Sequence, residues 1–205
     1  MKIGIVGYGH VGSAMHELFK DAIVYDKFKG IGSKEDINAC DVAFVCVPTP
    51  MAEDGSCDTS IVEDVICWCN CKCIILRSTV KVGFTREMSE KYRKTIVFQP
   101  EYYGETVAHP FSNLSERKWL TFGGTKEGIG LAIKAYQMVC NANIEIIQCT
   151  SEEAEMAKYM ENAYFATKVI FCNEMNNSTI VMDYERRKIQ NKNNLKFTDS
   201  KLLYD

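Results

Sequence analysis

An α/β fold, a doubly wound and mostly parallel sheet followed by one long helix, is predicted by three observations. Short apolar runs of strand length alternate with helical patterns along residues 1–149. Those runs, such as Val-Ala-Phe-Val-Cys-Val at 42–47, lack polar alternation, as strands do when both faces are buried. From Ser151 the pattern changes to one extended helical stretch. Alternation of this kind puts helices on both faces of a parallel sheet.

The elements follow in order. Residues 2–6 read as the first strand, closed by a glycine turn, and a helix runs through Met15, Leu18 and Phe19. The second strand, 22–25, ends at Asp26, and the link 27–40 reads as a short connection. The third strand, 42–47, is stopped by Pro48-Thr49-Pro50, because proline cannot donate to a ladder. A helix at 59–69, a strand at 73–79 and a helix at 84–93 continue the alternation. The next strand, 95–99, leaves at Pro100-Glu101, and 118–122, 126–140 and 144–149 read as strand, helix and strand. Thr150 and Glu153 form a capping box for the long helix. Its apolar residues run around the circumference to about Met182, which predicts burial on several sides; Cys172 reads as one of its packing residues. Beyond Tyr184 the chain is polar and loses its period. The expected organisation is a nucleotide-binding domain at 1–149, a central helix at 150–185 and a polar, weakly ordered tail at 186–205.

Composition narrows the function classes. With 46% hydrophobic and 25% charged residues in 205, the chain is globular. A net charge of −3 gives no basic footprint for nucleic acid. No apolar run reaches membrane-spanning length, and strand-like sequence begins directly after Met1, so a cytoplasmic location is expected. The 10 cysteines are then expected to be reduced. Cys67, Cys69, Cys71 and Cys73 form C-x-C-x-C-x-C, a poor spacing for a zinc knuckle, and no metal is expected.

Gly7, Gly9 and Gly12 form G-x-G-x-x-G, with His10 and Val11 inside the loop. The motif follows a strand, opens a helix and precedes Asp26 at the end of the next strand. Gly7 permits the turn, Gly9 the approach of a pyrophosphate and Gly12 close helix–strand packing. Asp26 would accept from ribose hydroxyls and repel a 2′-phosphate, so the cofactor is read as NAD on a Rossmann-type domain. Lys27 and Lys29 temper that preference.

Lys158 and Asn162 stand one helical turn apart in a largely apolar run. Burying an ammonium without a partner is costly, so the pair is either satisfied structurally or placed for a ligand. A surface amine and a capping amide are the plainer alternative.

Five segments together resemble the UDP-glucose/GDP-mannose dehydrogenase family: Gly7 to Gly12 with Asp26, Val45-Cys-Val-Pro-Thr-Pro50, Arg77-Ser-Thr79-Val, Pro100-Glu101-Tyr-Tyr-Gly-Glu105, and Ala154 through Lys158 to Asn162. The resemblance covers about residues 1–180. It implies two successive hydride transfers from C6 of a nucleotide sugar, UDP-glucose being the expected one, to NAD, through a thiohemiacetal and a thioester on a cysteine. It further implies that Val47, Pro48, Thr49, Ser78, Thr79 and Glu105 line the cofactor. Glu101 would be the acid/base of thioester hydrolysis and Thr79 would position water. Lys158 and Asn162 would steady an oxyanion. Glu101, Tyr102, Tyr103, Glu105, Lys158 and Asn162 would meet the substrate.

The chain departs from the family pattern in one respect. The family's nucleophilic cysteine lies in a glycine-rich segment beyond the central helix, followed by a UDP-binding domain, and none of the 10 cysteines here has that context. The expectation is a truncated form, with a homodimer through the central helix and a separate chain as one source of the missing half-site. Two alternatives stand beside it. One is a non-catalytic NAD-binding, dimerising module. The other is a single-step β-hydroxyacid-type dehydrogenase with Lys158 as acid/base, which needs no cysteine.

Overall fold

The computed structural model describes residues 1–102, 118–140 and 143–193, with side chains in the last stretch described as far as Asn176. Seven strands form one sheet: β1 (Ile3–Val6), β2 (Ile23–Tyr25), β3 (Val42–Val45), β4 (Cys73–Leu76), β5 (Ile96–Phe98), β6 (Trp119–Gly124) and β7 (Glu145–Cys149). Their order is β2-β1-β3-β4-β5-β6-β7. Pairing is parallel from β2 to β5 and again between β6 and β7. Among the described strands, β5 and β6 alone pair antiparallel.

The helices are α1 (His10–Leu18), α2 (Lys34–Asn38), α3 (Ser60–Trp68), α4 (Phe84–Tyr92), α5 (Lys126–Tyr136) and α6 (Ser151–Asn193). Two cores flank the sheet. Val6, Ala43, Val45, Ile74 and Leu76 pack with Val62, Ile66, Phe84 and Met88 on the α3–α4 side. Ile5, Val42, Phe44 and Ile75 pack with Met15, Phe19, Ile129 and Ala132 on the α1–α5 side. Successive strand residues thus feed opposite cores, which is why the strands carry no polar alternation.

The link 27–40 contains α2, which the sequence reading passed over. Ser33 caps it, accepting from the Asp36 N–H at 3.1 Å while its hydroxyl donates to the Asp36 carboxylate at 2.6 Å. The helix α6 continues to Asn193, past the expected end at 185, because Glu, Arg, Lys and Gln at 185–190 are good helix formers. Its expected burial is not found: Tyr164, Val169, Ile170 and Phe171 are 60% or more exposed, and Cys172 is exposed as well. Apolar residues around a helix predict a neighbour, and among the described residues none covers those positions.

The chain divides into two compact units, Met1–Tyr159 and Met160–Asp205. Among the described residues, no helix is long and apolar enough to cross a membrane.

Candidate active site

The chain passes from β2 on one side of β1 to β3 on the other, and ligands of open α/β sheets bind outside the strand carboxyl ends at such a switch point. After β1, Gly7 adopts φ +90°, and a Cβ there would lie 2.8 Å from the Cys46 carbonyl oxygen. A Cβ on Gly12 would lie 1.9 Å from the Gly7 carbonyl oxygen, so α1 can close on the turn only with glycine. Gly9 is the N-cap of α1 and has no side chain to cap it, and a helix N-terminus of this kind favours an anion. His10, exposed, and Val11, half-buried, open the helix.

Asp26 anchors the exit of β2. Its carboxylate accepts from the N–H groups of Tyr8 at 2.7 Å and of Phe28 and Lys29 at 2.9 Å. Burial works against its ionisation, but these donors and the nearby Lys29 ammonium outweigh it and hold the carboxyl below its ordinary value. The Lys29 ammonium donates to the Tyr8 carbonyl at 2.6 Å, and Asp26 and Ile31 pair backbone to backbone across the loop. Beside Asp26 lies a cavity of about 280 Å³ lined by Gly7, Phe28, Val47 and Pro48 and by the Ser60–Asp64–Trp68 face of α3. Thr49, next in the chain after Pro48, is half-buried.

At the ends of β3 and β4 the predicted residues take up different roles. Ser78 is buried and its hydroxyl donates to the Val47 carbonyl at 2.6 Å, clipping the two strand exits together. Thr79 is half-buried, and its carbonyl accepts from the Cys57 thiol at 3.5 Å. Glu101, after β5, is 9% exposed and ion-paired with the buried guanidinium of Arg77. Arg77 also reaches the Tyr136 hydroxyl at 3.3 Å, which donates to Gln99 at 2.8 Å. Glu101, for which the family resemblance implies an acid/base role, is thus part of a buried network that sequence spacing did not reveal.

Lys158 is half-buried and its ammonium lies 5.0 Å from the ring centroid of Tyr102, which meets Trp119 edge-on at 5.1 Å. A cation over an aromatic face is held at modest energetic gain, about 0.5–2 kcal/mol. Asn162 belongs to the second compact unit and is exposed, contrary to the sequence-based expectation of a shielded face. Tyr103 and Glu105 lie outside the described residues. Of the cysteine run, Cys67 is exposed and Cys69, Cys71 and Cys73 are buried, and all 10 cysteines are free. One structural carboxylate was missed: Glu155, fully buried, accepts from the N–H groups of Gly83 at 2.6 Å and Thr85 at 2.9 Å and so caps α4. Nothing local in the sequence signals it, because donor and acceptor are 70 residues apart or more.

Two sequence profiles match the chain. The UDP-glucose/GDP-mannose dehydrogenase family NAD binding domain matches residues 14–110, and the central domain of the same family matches residues 152–200. The chain belongs to this family. An uncharacterized protein of Methanocaldococcus jannaschii is 33% identical over 156 residues, 70% of this chain and 17% of that protein. A UDP-glucose 6-dehydrogenase of Streptococcus pneumoniae is 28% identical over 222 aligned residues, 85% of this chain and 56% of the enzyme. Among solved structures, a ternary complex of GDP-mannose dehydrogenase from Pseudomonas aeruginosa superposes with a TM-score of 0.68 at 23% identity, over 85% of this chain and 52% of the other. The chain spans about half the length of these two enzymes. The family has an NAD-binding domain, and the glycine turn, the α1 N-terminus and Asp26 fit that cofactor.

Proposed function

We propose that this chain is the NAD-binding and central part of a nucleotide-sugar 6-dehydrogenase of the UDP-glucose to UDP-glucuronate type. The observation that carries the reading is that one chain matches both family domains and sets a lysine, Lys158, over Tyr102 at the carboxyl end of β5. When bound, NAD supplies the hydride acceptor. Gly7, Gly9 and Gly12 admit the pyrophosphate, the α1 N-terminus with His10 and Val11 faces it, and Asp26 orients the ribose. Val47, Pro48, Thr49 and Ser78 form the wall beside it, joined by Glu105. Lys158 and Asn162 steady the oxygen at the reacting carbon, where an ammonium in a dry site outweighs its value in water. Thr79 positions water, and Glu101, Tyr102, Tyr103 and Glu105 meet the sugar. Full oxidation to the acid requires the cysteine-bearing segment, supplied by the same or another chain. A homodimer through α6 is part of the proposal, supported by its exposed apolar residues.

The test is NADH formation with UDP-glucose, GDP-mannose and a 3-hydroxy acid in turn. Turnover of a nucleotide sugar, lost by about 10²–10³-fold in Lys158→Met with NAD affinity unchanged, is expected. Turnover of the 3-hydroxy acid alone would replace the proposal with a single-step dehydrogenase. NAD binding without any turnover would replace it with a non-catalytic module.

A further inference from the structure

We propose that Asp64 makes the cofactor cavity selective for adenine by accepting from its exocyclic amino group, with Phe28 as a stacking face that does not discriminate between bases. The proposal rests on the NAD reading above and names the residue that reads the base.

The cavity is lined by Gly7 and Asp26, which the NAD reading assigns to the pyrophosphate and ribose, and by Phe28 and one face of α3. From α3 come Ser60, Asp64 and Trp68, spaced i, i+4 and i+8 along one face. The polar groups around the cavity differ in what they have left to give. The Asp26 carboxylate is engaged by three backbone N–H groups. The Trp68 ring is held edge-on against Tyr25 at 5.5 Å and under the Lys34 ammonium at 5.0 Å, so it serves as a fixed wall. Asp64 is exposed at the cavity and forms no ion pair among the described residues. An ionised carboxylate only accepts, so it pairs with a base edge that donates. The amino group of adenine donates there; hypoxanthine places an oxygen at the same position, which the carboxylate repels.

Phe28 supplies the other half. Its side chain is 82% exposed, unusual for a phenylalanine, yet its backbone is fixed. Its N–H donates to Asp26 at 2.9 Å, inside a loop closed by paired Asp26–Ile31 backbone bonds of 2.9 and 3.0 Å. An exposed ring on a pinned loop is pre-organised for stacking, and stacking accepts any base.

The two roles leave different signatures in nucleotide binding to the intact chain. Calorimetric affinities are compared for NAD and nicotinamide hypoxanthine dinucleotide in the wild type, Asp64→Asn and Phe28→Ala. The wild type is expected to prefer NAD by about tenfold or more, the value of a hydrogen bond to a charged group. Asp64→Asn, isosteric and able to donate to the hypoxanthine oxygen, is expected to bring the ratio near one. Phe28→Ala is expected to weaken both nucleotides by about tenfold and keep the ratio. A wild-type ratio near one, or a ratio unchanged in Asp64→Asn, overturns the proposal. Failure of the wild type to bind either nucleotide overturns the NAD reading itself, and this proposal with it.

Discussion

Asp26 does two things with one carboxylate. It is the acidic residue proposed for the nucleotide site, and it ties the Tyr8 turn to the Phe28–Lys29 loop. Asp26→Ala is therefore expected to weaken NAD binding by about tenfold or more, measured by calorimetry, since a lost charged acceptor also loosens the loop. Unchanged affinity would sink the cofactor assignment. The pH dependence has a definite sign. The carboxyl titrates below its ordinary value because three N–H groups and Lys29 outweigh burial. A depressed carboxyl contributes fully above the ordinary aspartate range and is lost as the pH falls through the lower folded value. The loss of NAD affinity caused by Asp26→Ala should thus be constant from neutral to mildly acidic pH and shrink only in stronger acid. Glu101 illustrates the opposite lesson at this scale. Its position after a strand and a proline was readable, but its ion pair with Arg77 was not, since the two lie on different strands' exits.

Helix ends decide how the elements join. The N-cap of α4 is Gly83, which has no side chain to offer, and Glu155 from α6 takes over by accepting from Gly83 and Thr85. Glu155→Ala is expected to lower stability by about 1–3 kcal/mol in urea denaturation, the cost of leaving buried donors unpaired. Burial pushes the Glu155 carboxyl above its ordinary value, the Thr85 and Gly83 groups only partly opposing it. A raised carboxyl favours the folded state below the ordinary glutamate value and gives up that advantage as the pH rises through the raised one. The penalty of Glu155→Ala should accordingly be larger in mild acid than at neutral pH; a penalty that grows with pH would contradict the burial argument. The start of α6, by contrast, depends on itself: Thr150 and Glu153 form the predicted capping box, with Thr150 Oγ1 and Glu153 bonding reciprocally at 2.8 and 3.2 Å.

At the scale of the whole molecule, the exposed apolar side chains of α6 set the expectation for assembly. Tyr164, Val169, Ile170 and Phe171 are each 60% or more exposed, which is more apolar surface than a lone helix usually shows water. A second copy covering them is the reading offered above. Sedimentation velocity at micromolar concentration should give a dimer, and Phe171→Glu should shift it to monomer by burying a charge in that contact. A wild-type monomer would remove the dimer from the proposal and leave the surface for another partner.

The sequence by itself determined the alternation of strands and helices, the glycine turn and its acidic partner, and the family. All of these are local: a strand buried on both faces is written in six consecutive residues, and a phosphate turn in another six. Even α2, passed over in the reading, was locally written in Ser33-x-x-Asp36. The tertiary structure alone decided what depends on residues far apart meeting. Strand direction is one such property, and β6 runs antiparallel to β5 within an otherwise parallel order. The Arg77–Glu101 pair, the Glu155 cap on α4 and the α3 face that carries Asp64 to the cavity are others. Periodicity tells which face of an element is apolar, but the partner of a buried charge is fixed only when the chain closes on itself.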